Sequence, residues 1–123
     1  MPYTIAIDLD GTILDWDKGQ PYHISRFGPL MPGAKRFMEE VFSAGCRIII
    51  HTCRTSPHIN NDMDVKELES MVGSELQRLM LPYHEIWTGV GKPIADLYID
   101  DRAVRFTDWD AVKEFMERTN ESD

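Results

Sequence analysis

Residues 3–9 read YTIAIDL, and Asp10-Gly11-Thr12 then breaks the run. A short apolar stretch rich in β-formers and ending in a carboxylate has the pattern of a buried central strand. Alternate side chains of an extended chain share a side, so Asp8 and Asp10 can reach one pocket, and Gly11 lets the backbone turn sharply away.

The rest of the chain supplies the partners such a strand needs. Residues 15–31 hold two glycines and two prolines without a helical period and read as a loop, with room for a small hairpin. Pro32 suits the first position of a helix, where its missing N–H is harmless. Ala34, Phe37, Met38, Val41 and Phe42 then mark one buried helical face, and Gly45 ends it. Arg47 to Thr52 (RIIIHT) reads as a second strand buried on both faces. A second helix after about Asp62 would bury Val65, Leu68, Val72, Leu76, Leu79 and Met80, with Gly73 weakening its middle. Glu85 to Thr88 and Asp96 to Asp100 read as strands. Thr107 and Asp110 have capping-box spacing before a last helix that would turn Val112, Phe115 and Met116 inward.

Strands alternating with helices specify a parallel sheet covered by helices, an α/β, three-layer Rossmann-like fold. With 123 residues, the chain is expected to form a single domain over 1–123. Right-handed crossovers put the C-terminal end of every strand on one edge, where open α/β sheets bind ligands.

On that edge the expected strand ends carry Asp8 and Asp10, Thr52 with Arg54 close behind, Lys92, and Asp100-Asp101. One carboxylate can attack a phosphate ester while a second, raised toward its protonated form by like-charge repulsion, serves the leaving alcohol. An anionic nucleophile meeting a phosphate dianion needs a cation. Mg2+ suits an oxygen-only site that includes carboxylates, and Asp100 and Asp101 supply further hard oxygens without thiolate or imidazole. Lys92 would add fixed positive charge, and Thr52 a hydroxyl donor. Arg54 is a candidate for the substrate phosphate; pairing with an acid is the competing reading.

Asp8-Leu9-Asp10-Gly11-Thr12 resembles the first motif of the haloacid dehalogenase superfamily. Thr52, Lys92 and Asp100-Asp101 are similar to its second, third and fourth motifs, in the family's order. The resemblance implies a Mg2+-dependent phosphohydrolase working through an aspartyl-phosphate. It makes Asp8 the nucleophile, Asp10 the acid/base, and Asp8, Asp10 (through its carbonyl), Asp100 and Asp101 the metal shell. Thr12 would orient Asp10, and Thr12, Thr52 and Lys92 would serve the substrate side of the site. The segments between motifs leave no room for the family's cap domain, which implies an open site for a bulky phosphoester or one lidded by a second copy. Phosphotransfer to another alcohol, and a metal-binding module without turnover, are the alternatives. Thr52-Cys53-Arg54 also resembles a stretch of polynucleotide 3′-phosphatases.

Other readings fail on spacing. A calcium loop starting at Asp8 would need Glu where Gly19 stands, and the run Gly89 to Pro93 lacks the P-loop pattern. His51, Cys53 and His58 match no common zinc spacing, so His51 is expected to be a packed residue at its strand end. Trp16, Tyr22 and Phe27 could form a substrate wall or a small loop core.

A net charge of -8 argues against nucleic-acid partners. Two cysteines, no long apolar run and no basic leader point to a cytoplasmic protein without membrane attachment.

Overall fold

The structure, a computed structural model, describes residues 3–16, 26–56 and 64–121. Four strands, β1 (Thr4–Ile7), β2 (Arg47–Ile50), β3 (Glu85–Ile86) and β4 (Leu97–Ile99), form one all-parallel sheet in the order β3-β2-β1-β4. Three helices accompany it: α1 (Ala34–Ser43), α2 (Val65–Arg78) and α3 (Trp109–Glu121). The expected α/β, Rossmann-like architecture is therefore present. The strands are shorter than the apolar runs suggest, because each hands its last residues to the turns that carry polar side chains.

The register Ile7–Ile50 and Ile7–Ile99 aligns three strand ends. Parity then divides the sheet. Ile5, Ile7, Ile48 and Ile50 join Met38 of α1 and Val72 and Leu76 of α2 in one buried cluster, with Val41 and Ile99 packed against it. Both helices lie on this face because the chain moves in one direction from β1 through β2 to β3, and right-handed crossovers keep one side. The return from β3 to β4 contains no helix. On the opposite parity, the Tyr98 hydroxyl donates to the Pro93 carbonyl at 2.6 Å, and Pro93 is buried.

Several helical expectations need correction. Helix α1 starts two residues beyond Pro32, and of its apolar face Phe37 and Phe42 stay exposed, Phe42 stacking on His84. In α2, Leu68, Val72 and Leu76 are buried as expected, but Val65 is only half-buried. Met80 lies past the helix end at φ 57 and is 74% exposed. Asp108, not Thr107, caps α3, its carboxylate accepting from the Ala111 amide at 2.9 Å. Of the face expected to turn inward, Val112 is half-buried, whereas Phe115 and Met116 are 47% and 60% exposed, and among the described residues α3 approaches no other helix or strand. Of the suggested 15–31 hairpin, its ends are seen: Asp15 N–H donates to Pro29 and Met31 N–H to Ile13. Residues 17–25, with Tyr22, lie outside the described residues, as does His58.

No described helix is long and apolar enough to cross a membrane. Neither Cys46 nor Cys53 forms a disulfide.

Leu76 has no exposed surface and touches the centre of the cluster. Leu76→Ala is expected to lower unfolding free energy by about 2–5 kcal/mol in urea titration. Gly73 behaves oppositely: an added Cβ would meet the Tyr83 hydroxyl at 3.4 Å, an ordinary contact. Gly73→Ala should therefore stabilise α2 by roughly 0.5–1 kcal/mol in the same assay.

Candidate functional site

The carboxyl edge of the sheet is built by main-chain pairing that runs on past the strands. Asp8 N–H donates to Ile99 at 2.9 Å, His51 N–H to Ile7 at 2.9 Å, and Trp87 N–H to Ile50 at 2.8 Å. Asp8, His51 and Trp87 thus leave the sheet together.

After Asp8 the chain wraps around a single carbonyl. The amides of Thr12, Ile13 and Leu14 all donate to Leu9 O, at 3.3, 3.0 and 2.9 Å. This tight turn needs Gly11 at φ 90, where a side chain is strained, and a Cβ there would also collide with the Asp101 carboxylate. Glycine therefore permits the β1 turn and the β4 turn to close on one another.

Asp8, Asp100 and Asp101 each offer a carboxylate oxygen, and these oxygens lie within 4.8 Å of one another. Burial, followed by the nearby Asp100 charge, pushes the Asp8 carboxyl from 3.8 up to about 7. Asp100 is itself oriented by the Arg102 amide, which donates to Oδ1 at 2.7 Å. Three hard oxygen donors with no imidazole or thiolate among them fit a divalent cation of the Mg2+ class.

Two cavities share Asp8, Cys53 and Asp100 as walls. One, of about 460 Å³, lies between the turn after β2 and the turn after β3, lined also by Thr52, Thr55, Trp87 and Val90. The other, of about 450 Å³, adds Asp10, Trp16, Asp101 and Arg102. A hollow of about 570 Å³ beside α2 and β3 includes none of these aspartates.

The expected site residues are distributed unevenly. Asp8, Asp100 and Asp101 meet. Asp10 reaches the second cavity, but its carboxylate lies outside the three-acid cluster and is held by Arg54, at 2.6 Å from Nε and 3.0 Å from Nη2. Arg54 is fully buried, and here it takes the acid-pairing alternative, with Asp10 as its partner. The Thr12 hydroxyl donates to Asp8 Oδ2 at 3.3 Å, a contact with the neighbouring acid rather than with Asp10. Thr52 is buried on the first cavity's wall, its oxygen accepting from the Arg54 amide at 3.2 Å. Lys92 lies outside both linings, its ammonium 4.4 Å over the Tyr98 ring.

His51 is half-buried at its strand end, as expected, with its pKa lowered first by burial. Sequence reasoning set Cys53 aside as a zinc ligand and gave it no place in the site, yet it lines both cavities; burial pushes its thiol up, against reactivity. Thr55 was also missed. Its hydroxyl is placed 3.1 Å from Thr52 O and 2.8 Å from Trp87 O, so it ties the two turns together. A Thr five residues beyond the end of β2 carries no signal that could have revealed this.

No protein-family model matches the chain, and no curated protein does. Two solved structures are similar to it. A conserved protein from Bacteroides thetaiotaomicron superposes with a TM-score of 0.59 at 22% identity, covering 97% of this chain and 93% of its own. A protein from Vibrio cholerae gives 0.51 at 22% identity, covering 94% and 98%. Similarity at this identity shows the fold.

The raised Asp8 pKa sets a pH dependence. Because the folded value is above the unfolded one, this group's contribution to metal-free stability is full below about 3.8 and is lost as pH rises through about 7. A cation competes with the same proton. Mg2+ affinity should therefore rise between pH 6 and pH 8, with proton release on binding. Calorimetry in buffers of different ionisation enthalpy would measure both, and the dependence should flatten in Asp8→Asn.

Proposed function

We propose that this chain is a Mg2+-dependent phosphohydrolase of the haloacid dehalogenase type, cleaving phosphomonoesters by attack of Asp8. The observation that carries the reading is the meeting of Asp8, Asp100 and Asp101 on a cavity that Asp10 also lines. A three-acid cluster alone suits many cations; a fourth acid held apart by Arg54 adds a group able to move a proton.

Asp8, Asp100 and Asp101 would hold the metal. When bound, Mg2+ supplies positive charge that offsets repulsion among the carboxylates and with a phosphate dianion. Asp10, an ion pair with Arg54 in the resting site, takes up a proton as the substrate binds; an Asp8 oxygen bonds to phosphorus as the ester P–O bond breaks, and the leaving oxygen takes that proton from Asp10. Water then attacks the aspartyl-phosphate, giving a proton back to Asp10, and the bond from phosphorus to Asp8 breaks. The Thr12 hydroxyl restrains Asp8 for attack, and the Thr52 hydroxyl stands on the cavity wall for a phosphoryl oxygen. Lys92 could serve the phosphate only by leaving the Tyr98 ring.

Cavities of about 450 Å³ on either side of Asp8 favour a small phosphorylated molecule, or the accessible end of a larger one. Pi release from a panel of sugar phosphates, nucleotides and 3′-phosphorylated oligonucleotides, with Mg2+ and with chelator, tests the reading. Asp8→Asn should lower turnover by roughly 10³-fold or more while leaving the circular dichroism spectrum unchanged. Asp100→Asn should raise the Mg2+ concentration needed for half-maximal rate. Chelator-insensitive turnover, or full activity in Asp8→Asn, would refute the mechanism.

A further inference from the structure

Arg54 heads the fully buried side chains by volume, although it carries a permanent charge. Two of its nitrogens engage both oxygens of Asp10 in a planar fork, a geometry that fixes direction as well as distance. Nη2 also donates to the Arg26 carbonyl. The rings of Phe27 and Trp16 lie 4.2 and 5.9 Å from its central carbon. Charge this deep is tolerated only where its partners are fixed.

We propose that Arg54 is a positioning residue, holding the Asp10 carboxylate at the cavity wall and acting on the reaction only through it. The proposal rests on the phosphohydrolase reading above. Asp10 lines the cavity beside Asp8, whereas Arg54 lies behind it with no exposed surface. A phosphate in the cavity would meet Asp10 first. Arg54 is itself placed by the turn after β2, where its amide donates to Thr52 Oγ1. Its aromatic neighbours come from the two described ends of the segment between β1 and α1. The direction of Asp10 is therefore set jointly by β2 and by that segment.

Arg54 makes and breaks no bond in this scheme. Asp10 gives one proton to the leaving oxygen in the first half-reaction and recovers one from water in the second. The consequence is a selective dependence on the leaving group. An alkyl phosphomonoester needs that first proton, whereas a dinitrophenyl phosphate departs without it.

The experiment measures steady-state kinetics with both esters and Mg2+, for wild type, Arg54→Lys, Arg54→Met, Asp10→Asn and the double variant Asp10→Asn/Arg54→Met. Arg54→Met is expected to lower kcat for the alkyl ester by roughly 10²-fold, with KM within about twofold and the aryl ester slowed by less than about fivefold. Arg54→Lys should recover part of the loss. The double variant should be no slower than Asp10→Asn alone, as for two groups acting as a unit. Because it removes both charges, it answers the question even where the single Arg54→Met fails to fold. Equal losses on both esters in folded protein would overturn the proposal and leave the phosphohydrolase reading standing. So would a raised KM at unchanged kcat, or a further loss in the double variant. No phosphate release from either ester by the wild type would overturn both.

Discussion

Strand β1 is hydrogen-bonded in parallel on both sides, to β2 and to β4, and the placement of every polar group discussed above follows from that arrangement. Parallel pairing sends three chain segments out of the sheet at one edge. Had β4 run antiparallel, Asp8 would face a strand beginning instead of a strand end, and Asp100 would lie at the far side of the sheet. Isoleucine is what holds the alignment. Ile5, Ile7, Ile48 and Ile50 are all buried in the cluster beneath α1 and α2, and a slip of one residue would turn each of them to the other face.

The same alignment creates an electrostatic conflict. Three carboxylates are drawn together by backbone geometry, not by attraction for one another, and their charges add to the effect of burial in raising the Asp8 pKa. Two kinds of relief are visible. Asp10 has its charge matched by a buried guanidinium, inside the protein. Asp8, Asp100 and Asp101 have only partial relief from protein groups, including the Thr12 hydroxyl, the Arg102 amide and the Arg102 guanidinium 3.9 Å from Asp101. One acid is thus fixed by the fold, while three form a group that a cation could join.

Much of this was legible in the sequence, for identifiable reasons. The apolar runs of β1 and β2 and the buried positions of α2 are local periodic signals, and their alternation dictates the parallel sheet. Given the sheet, the ends of β1 and β4 had to leave at one edge, so Asp8, Asp100 and Asp101 were expected on the same side, whereas the adjacency of β1 and β4 that brings them together was not. Nor was pairing across long separations. Arg54 and Asp10 are 44 positions apart, and an arginine after a strand reads equally well as a phosphate ligand. Thr12 sits four residues from Asp8 and two from Asp10, so only turn geometry chooses between them. The inward face expected for α3 misled because periodicity gives a helix an apolar side but does not say what that side touches. Lys92 misled differently. Its four-carbon stem lets the ammonium settle over the Tyr98 ring, and no sequence pattern records where a long side chain ends.

The turn after β3 is closed by its own indole: Trp87 Nε1 donates to Gly91 O at 2.8 Å, and Gly89 packs so near the ring that a Cβ there would overlap it. This hairpin of side chain on backbone forms one wall of the cavity beside Asp8, yet contributes none of the four acids. Shape and charge are thereby assigned to different stretches of polypeptide. A lineage could remodel the contour met by an incoming molecule through residues 87–91 while the ionic centre stayed as it was, which makes this short turn the natural place for relatives of the fold to diverge.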